Sequence, residues 1–140
     1  MTGRRATHEK LGAPVRFLIV GIANTVVGLL SIYLLKWLLG FDDAIANILG
    51  YMIALALSFV LNRGWTFEHS GPILPAFLRF VCIFAVAYLV NLAIVMASIR
   101  VFGVNAYLAH AIGIAPYTVL FYLGSRYFAF RPMPSSHTHG

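Results

Sequence analysis

Apolar residues in this chain gather into four long runs, at 17–39, 44–62, 80–99 and 106–125, separated by short polar stretches. Each run supplies about 20 residues, and at about 1.5 Å of rise per residue such a helix crosses the roughly 30 Å hydrocarbon layer of a bilayer. In hydrocarbon every backbone N–H and C=O must be bonded within its own segment, which selects helices. The pattern predicts an all-α membrane protein with four transmembrane helices. Gly40-Phe41-Asp42-Asp43 makes a tight hairpin between the first two runs, and residues 100–105 join the last two. The longer central connection, 63–79, carries Pro72 and Pro75. Ala44-Ile45-Ala46 resembles a leader cleavage site, but the run before it exceeds the about 7–15 apolar residues of a secretory leader and reads as a span.

The chain also repeats itself. Shifted by 63 residues (79 − 16), Arg16 falls on Arg79, Phe17 on Phe80, Leu29 on Leu92 and Gly40 on Gly103. Ala46 then meets Ala109, Gly50 meets Gly113, Arg63 meets Arg126 and Phe67 meets Phe130. Arginines bracket each copy and glycines divide it, as expected of a membrane protein built from two like elements. The expected organisation is a tail at 1–15, repeat one at 16–68, repeat two at 79–131 and a second tail at 132–140. Each copy contains two spans, so both enter the membrane from the same side. Parallel tandem two-helix repeats follow, rather than inverted ones.

Composition adds the solvent. Hydrophobic residues make up 61% of the chain and charged residues 10%, against roughly 25% charged in a soluble domain. Of the 10 basic residues, Arg4, Arg5, Lys10, Arg16, Arg63, Arg79, Arg126 and Arg131 lie on one side, and Lys36 and Arg100 on the other. That bias predicts cytoplasmic termini and a cytoplasmic central connection. The net charge of +6 thus reports membrane topology, and no nucleic-acid partner is expected. Cys82 is the single cysteine, so no intramolecular disulfide is available.

Small and polar residues form stripes at helical spacing. They are Gly21, Asn24, Thr25, Gly28 and Ser31 in the first span, and Asn47, Gly50, Ala54, Ser58 and Asn62 in the second. The third has Ala85, Tyr88 and Asn91; the fourth has His110, Gly113, Tyr117, Gly124 and Ser125. Glycines and serines suit close helix packing. An asparagine in hydrocarbon needs partners or water, so Asn24 and Asn62 admit either cross-helix bonding or substrate contact. Pro116 is expected to kink the fourth span, chiefly as a matter of shape. His110 aligns with Asn47, an amide without a titrating proton, which points to hydrogen bonding rather than a proton relay. All four acids, Glu9, Asp42, Asp43 and Glu68, lie outside the spans. No buried acid serves a cation or proton, and no carboxylate pair, nucleophile–base pair or phosphate loop is evident. Neither enzymatic activity nor a cofactor is expected, and His137 and His139 lack companions for a metal site.

The arginines at the span edges have two readings. As anchors they orient the chain, a task lysine performs equally well. As planar forked donors, Arg16, Arg63, Arg79 and Arg126 suit phosphate oxygens. The flanking Trp65, Phe67, Tyr127, Phe128 and Phe130 form an aromatic belt or border a lipid chain.

Arg16–Thr25 (RFLIVGIANT), Ser58–Phe67 (SFVLNRGWTF), Arg79-Phe80, and Arg126 with Phe130 resemble the GtrA-like family of small four-span bacterial membrane proteins. The likeness covers nearly all of 16–131, and Asn-Arg-Gly-Trp-Thr-Phe is its most specific string. It implies translocation of a polyprenyl-phosphate-linked monosaccharide, such as undecaprenyl-phosphate glucose, across the bacterial inner membrane. Outward-facing glycosyltransferases then use the sugar on O-antigen or other cell-wall polysaccharide. It also implies that Arg16, Asn24, Thr25, Asn62, Arg63, Trp65, Arg79 and Arg126 form the characteristic set. The second copy departs from the first at Ser125, Phe128 and Ala129. On this reading the arginines bind the carrier phosphate, and Asn24, Thr25, Asn62, Trp65, Asn91 and Tyr117 line a groove for the sugar. Four helices barely enclose a groove, so a homodimer with lipid at its interface is expected. Two other classes remain: a non-transporting subunit that docks or stabilises a glycosyltransferase, and a small multidrug-type exporter, which would want a buried carboxylate.

Overall fold

A computed structural model describes residues 11–131. The tail residues at 1–10 and 132–140, with Arg4, Arg5, Lys10, His137 and His139, lie outside the described residues. The described chain is all-helical, without strands. Four helices are long and apolar enough to cross a membrane: α1 (Ala13–Leu39), α2 (Asp43–Leu61), α3 (Ile73–Arg100) and α4 (Ala106–Gly124). A π-helical turn extends α2 over Asn62–Thr66, and another extends α4 over Ser125–Ala129.

The chain divides into two compact units, Met1–Glu68 and His69–Gly140. In the first, α1 and α2 are joined by a turn that begins at Gly40. Its left-handed φ of +68° is easy for a residue without Cβ. The Phe41 N–H then reaches back six residues to the Leu35 carbonyl at 3.2 Å, which satisfies one of the last carbonyls of α1. Asp42 caps α2 by accepting from the Ile45 N–H at 2.9 Å, and its neighbour Asp43 pairs with Lys36 across the turn. The helices approach closely because glycine faces them. A Cβ on Gly50 would fall inside Ile32, and one on Gly28 would press on Ala54 at 3.3 Å.

The second unit uses the same local devices 63 residues later. Gly103 has φ +64°, the Val104 N–H closes onto the Ser98 carbonyl at 3.0 Å, and Asn105 caps α4 through the Tyr107 N–H at 2.9 Å. Gly113 admits Asn91 and Val95 against α4, and Gly124 admits Ile83. Helix α4 runs on through Pro116 without interruption.

Two boundaries differ from the sequence reading. The expected connection at 63–79 shrinks to 67–72, because α2 continues through its π turn and α3 begins at Ile73. Pro72 occupies the N-cap and Pro75 the first turn of α3, where a missing N–H has no helical partner to lose. The prolines therefore mark the start of a helix rather than a loop. Arg79 accordingly sits on α3, a full turn inside it.

Outward faces are apolar. Leu18, Ile22, Leu30 and Trp37 on α1, and Leu89, Leu108 and Ile114 in the second unit, are all exposed. Such a surface is stable only where hydrocarbon is the solvent. The protein is a multi-pass membrane protein.

Candidate functional site at the arginine-bearing helix ends

In the first unit the antiparallel helices bring Arg16, in the first turns of α1, against the end of α2. Through residues 62–66 the backbone bonds shift to five-residue steps, with the Phe67 N–H on the Asn62 carbonyl at 2.9 Å. A helix end leaves its last carbonyls without partners, and Arg16 supplies one. Its Nη1 donates to the Trp65 carbonyl at 2.7 Å and to Glu68 Oε1 at 3.1 Å. Its guanidinium carbon lies 5.7 Å from the centre of the Trp65 ring. Only 8% of Arg16 is exposed. A charge so enclosed requires such partners, and a cation at a helix C-terminus also opposes the helix dipole favourably. Glu68 holds its position with φ +47°, left-handed geometry that is costly for a residue with a side chain. Arg63 sits half-buried within the same turn.

Directly above, Ser58, Asn62 and Thr66 form a buried ladder at four-residue spacing. Asn62 Nδ2 donates to Ser58 Oγ at 3.2 Å, and Thr66 Oγ1 donates to Asn62 Oδ1 at 2.8 Å. Asn62 is 1% exposed, and its amide serves the packing of this helix end. Both of its bonds stay within its own helix end, to the side chains four residues before and four residues after.

The second unit repeats the arginine–aromatic contact with different surroundings. The Arg79 guanidinium lies 5.9 Å from the Phe128 ring, and Phe128 stands 63 residues after Trp65. The five-residue bond recurs from the Phe130 N–H to the Ser125 carbonyl at 2.8 Å. Arg126, exposed, donates from Nη1 to the Tyr122 hydroxyl at 2.9 Å and stacks over Tyr127 at 5.4 Å. The ladder is gone: Phe121, Ser125 and Ala129 replace Ser58, Asn62 and Thr66. Phe80 instead packs on Phe121 and Phe130, at 5.0 and 5.6 Å. Ser125 Oγ is buried without a hydrogen-bond partner.

The remaining candidates lie deeper along the helices. Asn24 and Thr25 are eight and nine residues beyond Arg16, about 12 Å along the axis at the helical rise. Asn24 is half-buried, and its Oδ1 is enclosed without a partner. The exposed Thr25 hydroxyl donates to the Gly21 carbonyl of its own helix at 3.0 Å. Asn91 is half-buried against Gly113, and the half-buried Tyr117 packs on Phe121 at 5.7 Å. Trp65 is 40% exposed despite its arginine. The sequence reading overlooked Glu68, Tyr122 and Phe128 as arginine partners. Two of them carried a signal: Phe128 aligns with Trp65 as Arg79 does with Arg16, and Tyr122 precedes Arg126 by one helical turn. Among the described residues no cluster of His, Cys, Asp or Glu could hold a metal ion.

Four spans, with arginines seated on aromatic rings at the ends of two helical hairpins, define a small polytopic protein whose polar chemistry is concentrated at its helix ends. The chain belongs to the GtrA/DPMS transmembrane-domain family, whose profile matches residues 16–130. It is similar to YwcD of Bacillus subtilis (strain 168), described as an uncharacterized membrane protein. The two are 22% identical over 119 residues, covering 82% of this chain and 94% of the relative.

Proposed function

We propose that the protein translocates a polyprenyl-phosphate-linked monosaccharide, such as undecaprenyl-phosphate glucose, across the bacterial inner membrane for polysaccharide or O-antigen glycosylation. The observation that carries this reading is family membership combined with arginines held on aromatic rings at the helix ends of both units. Both termini and the central connection face the cytoplasm. Arg79 and Arg126 of the second unit meet the carrier phosphate there and Arg63 of the first unit offers a further donor, while Arg16 secures the end of α2. Moving a phosphate through hydrocarbon is costly without polar substitutes for water, and Asn24, Thr25 and Asn91 offer polar groups deeper in the spans. Trp65 in the first unit and Tyr117 in the second are the aromatic groups offered to the sugar, and Asn62 stiffens the end of α2. The prenyl tail stays in lipid, and the two parallel repeats work within a homodimer.

No carboxylate lies in the apolar runs, so transfer follows the gradient set by synthesis inside and consumption outside rather than a proton. The test is leaflet transfer of a labelled polyprenyl-phosphate glucose in vesicles holding the purified protein. Transfer that depends on the protein, and falls when Arg126 becomes Glu, is the expected result. Absence of transfer from the intact protein would overturn the reading and favour a role in docking a glycosyltransferase.

A further inference from the structure

The two arginine ends differ in charge. At the end of the first unit, Arg16 and Arg63 share the space with Glu68, which forms the ion pair to Arg16 at 3.1 Å. Position 131, the counterpart of Glu68 in the second unit, is Arg131. No Asp or Glu follows Glu68 anywhere in the chain, so the second unit has no carboxylate to offer its arginines. Ring contacts gather these arginines at one end: Arg79 lies over Phe128, and its neighbour Phe80 packs on Phe130, the residue before Arg131. Arg126 sits within the same π turn.

We infer that the phosphate-receiving centre lies in the second unit, and that Arg131 belongs to it together with Arg79 and Arg126. This rests on the translocation reading above and adds to it an asymmetry and a residue. Arg131 falls one position beyond the matched family segment. The argument is one of counter-charge. In the first unit the buried arginine already holds a carboxylate and a carbonyl, so an arriving phosphate would have to displace Glu68. In the second unit Arg126 and Arg131 stand on and just after the end of α4 and Arg79 reaches that end from α3, and the partners of Arg79 and Arg126 are neutral aromatic faces and a phenol. Salt screens their mutual repulsion but supplies no fixed counter-ion, whereas a bound phosphate offers oxygens to several forked donors at once. Orientation alone does not ask for this set, since lysines serve that purpose.

The experiment measures binding of a short-chain polyprenyl-phosphate glucose to the full chain in nanodiscs of zwitterionic lipid. Phosphate-free polyprenol and phosphatidylglycerol serve as competitors, and thermal melting confirms that each variant is folded. Arg131→Gln should weaken binding about tenfold or more, the loss of one charge-assisted contact of about 1.4 kcal/mol. Arg131→Glu, which gives the second unit the acid of the first, should weaken it further. Arg100→Gln, at the far end of α3, should leave it unchanged. Unaltered affinity in a folded Arg131→Gln protein would overturn the assignment, as would competition by phosphatidylglycerol equal to that of the carrier. Wild-type protein that prefers the carrier to polyprenol and depends on Arg131, yet moves no lipid between leaflets, would uphold this site and remove the translocation reading. Wild-type protein with no preference for phosphate would remove both.

Discussion

Arg16 holds Trp65 twice: one hydrogen bond of 2.7 Å reaches its carbonyl, and the guanidinium lies 5.7 Å from the centre of its ring. The same side chain closes the end of α2 and pairs with Glu68. Replacing Arg16 with Ala leaves a helix-end carbonyl unpartnered and uncovers an indole face. The expected loss of stability is about 1.5–3 kcal/mol, the range for hydrogen bonds made by a charged group. Thermal unfolding in detergent checks it, with Glu68→Gln as comparison. Because Glu68 is largely exposed, its replacement should cost about 1 kcal/mol or less.

The buried ladder and its missing counterpart give opposite expectations at matching positions. Asn62→Ala breaks bonds to both Ser58 and Thr66 in a site closed to solvent, and should cost about 2–3 kcal/mol, roughly 1 for each bond plus a cavity. Ser125→Ala removes a buried hydroxyl that has no partner, and should be neutral or stabilising by up to about 1 kcal/mol. Equal destabilisation by the two substitutions would contradict the asymmetry between the helix ends.

Helix approach within the first unit rests on Gly50. A methyl group there would meet Ile32 directly, so Gly50→Ala should destabilise by about 1–3 kcal/mol through overpacking. Adding Ile32→Val should recover part of that loss in a double-mutant cycle. Gly64, whose Cβ direction is open, should accept alanine with no loss in the same melting measurement.

Much of this architecture was legible in the sequence, and the failures have identifiable causes. The spans followed from apolar run length, and the hairpin turns from the short segments that hold Gly40 and Gly103, both left-handed in the structure. The start of α3 was misread because Pro72 and Pro75 suggest a loop, although proline is accommodated in a first helical turn. Asn62 belonged visibly to a polar stripe. Whether that stripe bonds inward or faces a groove depends on which side its neighbour helix covers, and spacing alone does not carry that. Glu68 was read only as an acid outside the spans. Its pairing with Arg16, 52 residues away, exists because two antiparallel helices end together.

Tyr122 offers a separation of positioning from folding. Its hydroxyl accepts from the exposed Arg126 at 2.9 Å, steering the guanidinium without enclosing it. Tyr122→Phe keeps the ring and removes only the hydroxyl. The melting temperature should therefore change little, because Arg126 regains water in place of the phenol. Affinity for the lipid phosphate should fall by about threefold to tenfold, as a freed side chain must be ordered again on binding. Arg126→Gln in the same assay should lose more, since it removes the charge itself. In the double variant the Tyr122→Phe effect on affinity should vanish, since the hydroxyl's contribution to binding passes through the guanidinium it orients. A Tyr122→Phe effect that persisted without Arg126 would mean that the hydroxyl meets the lipid by its own route.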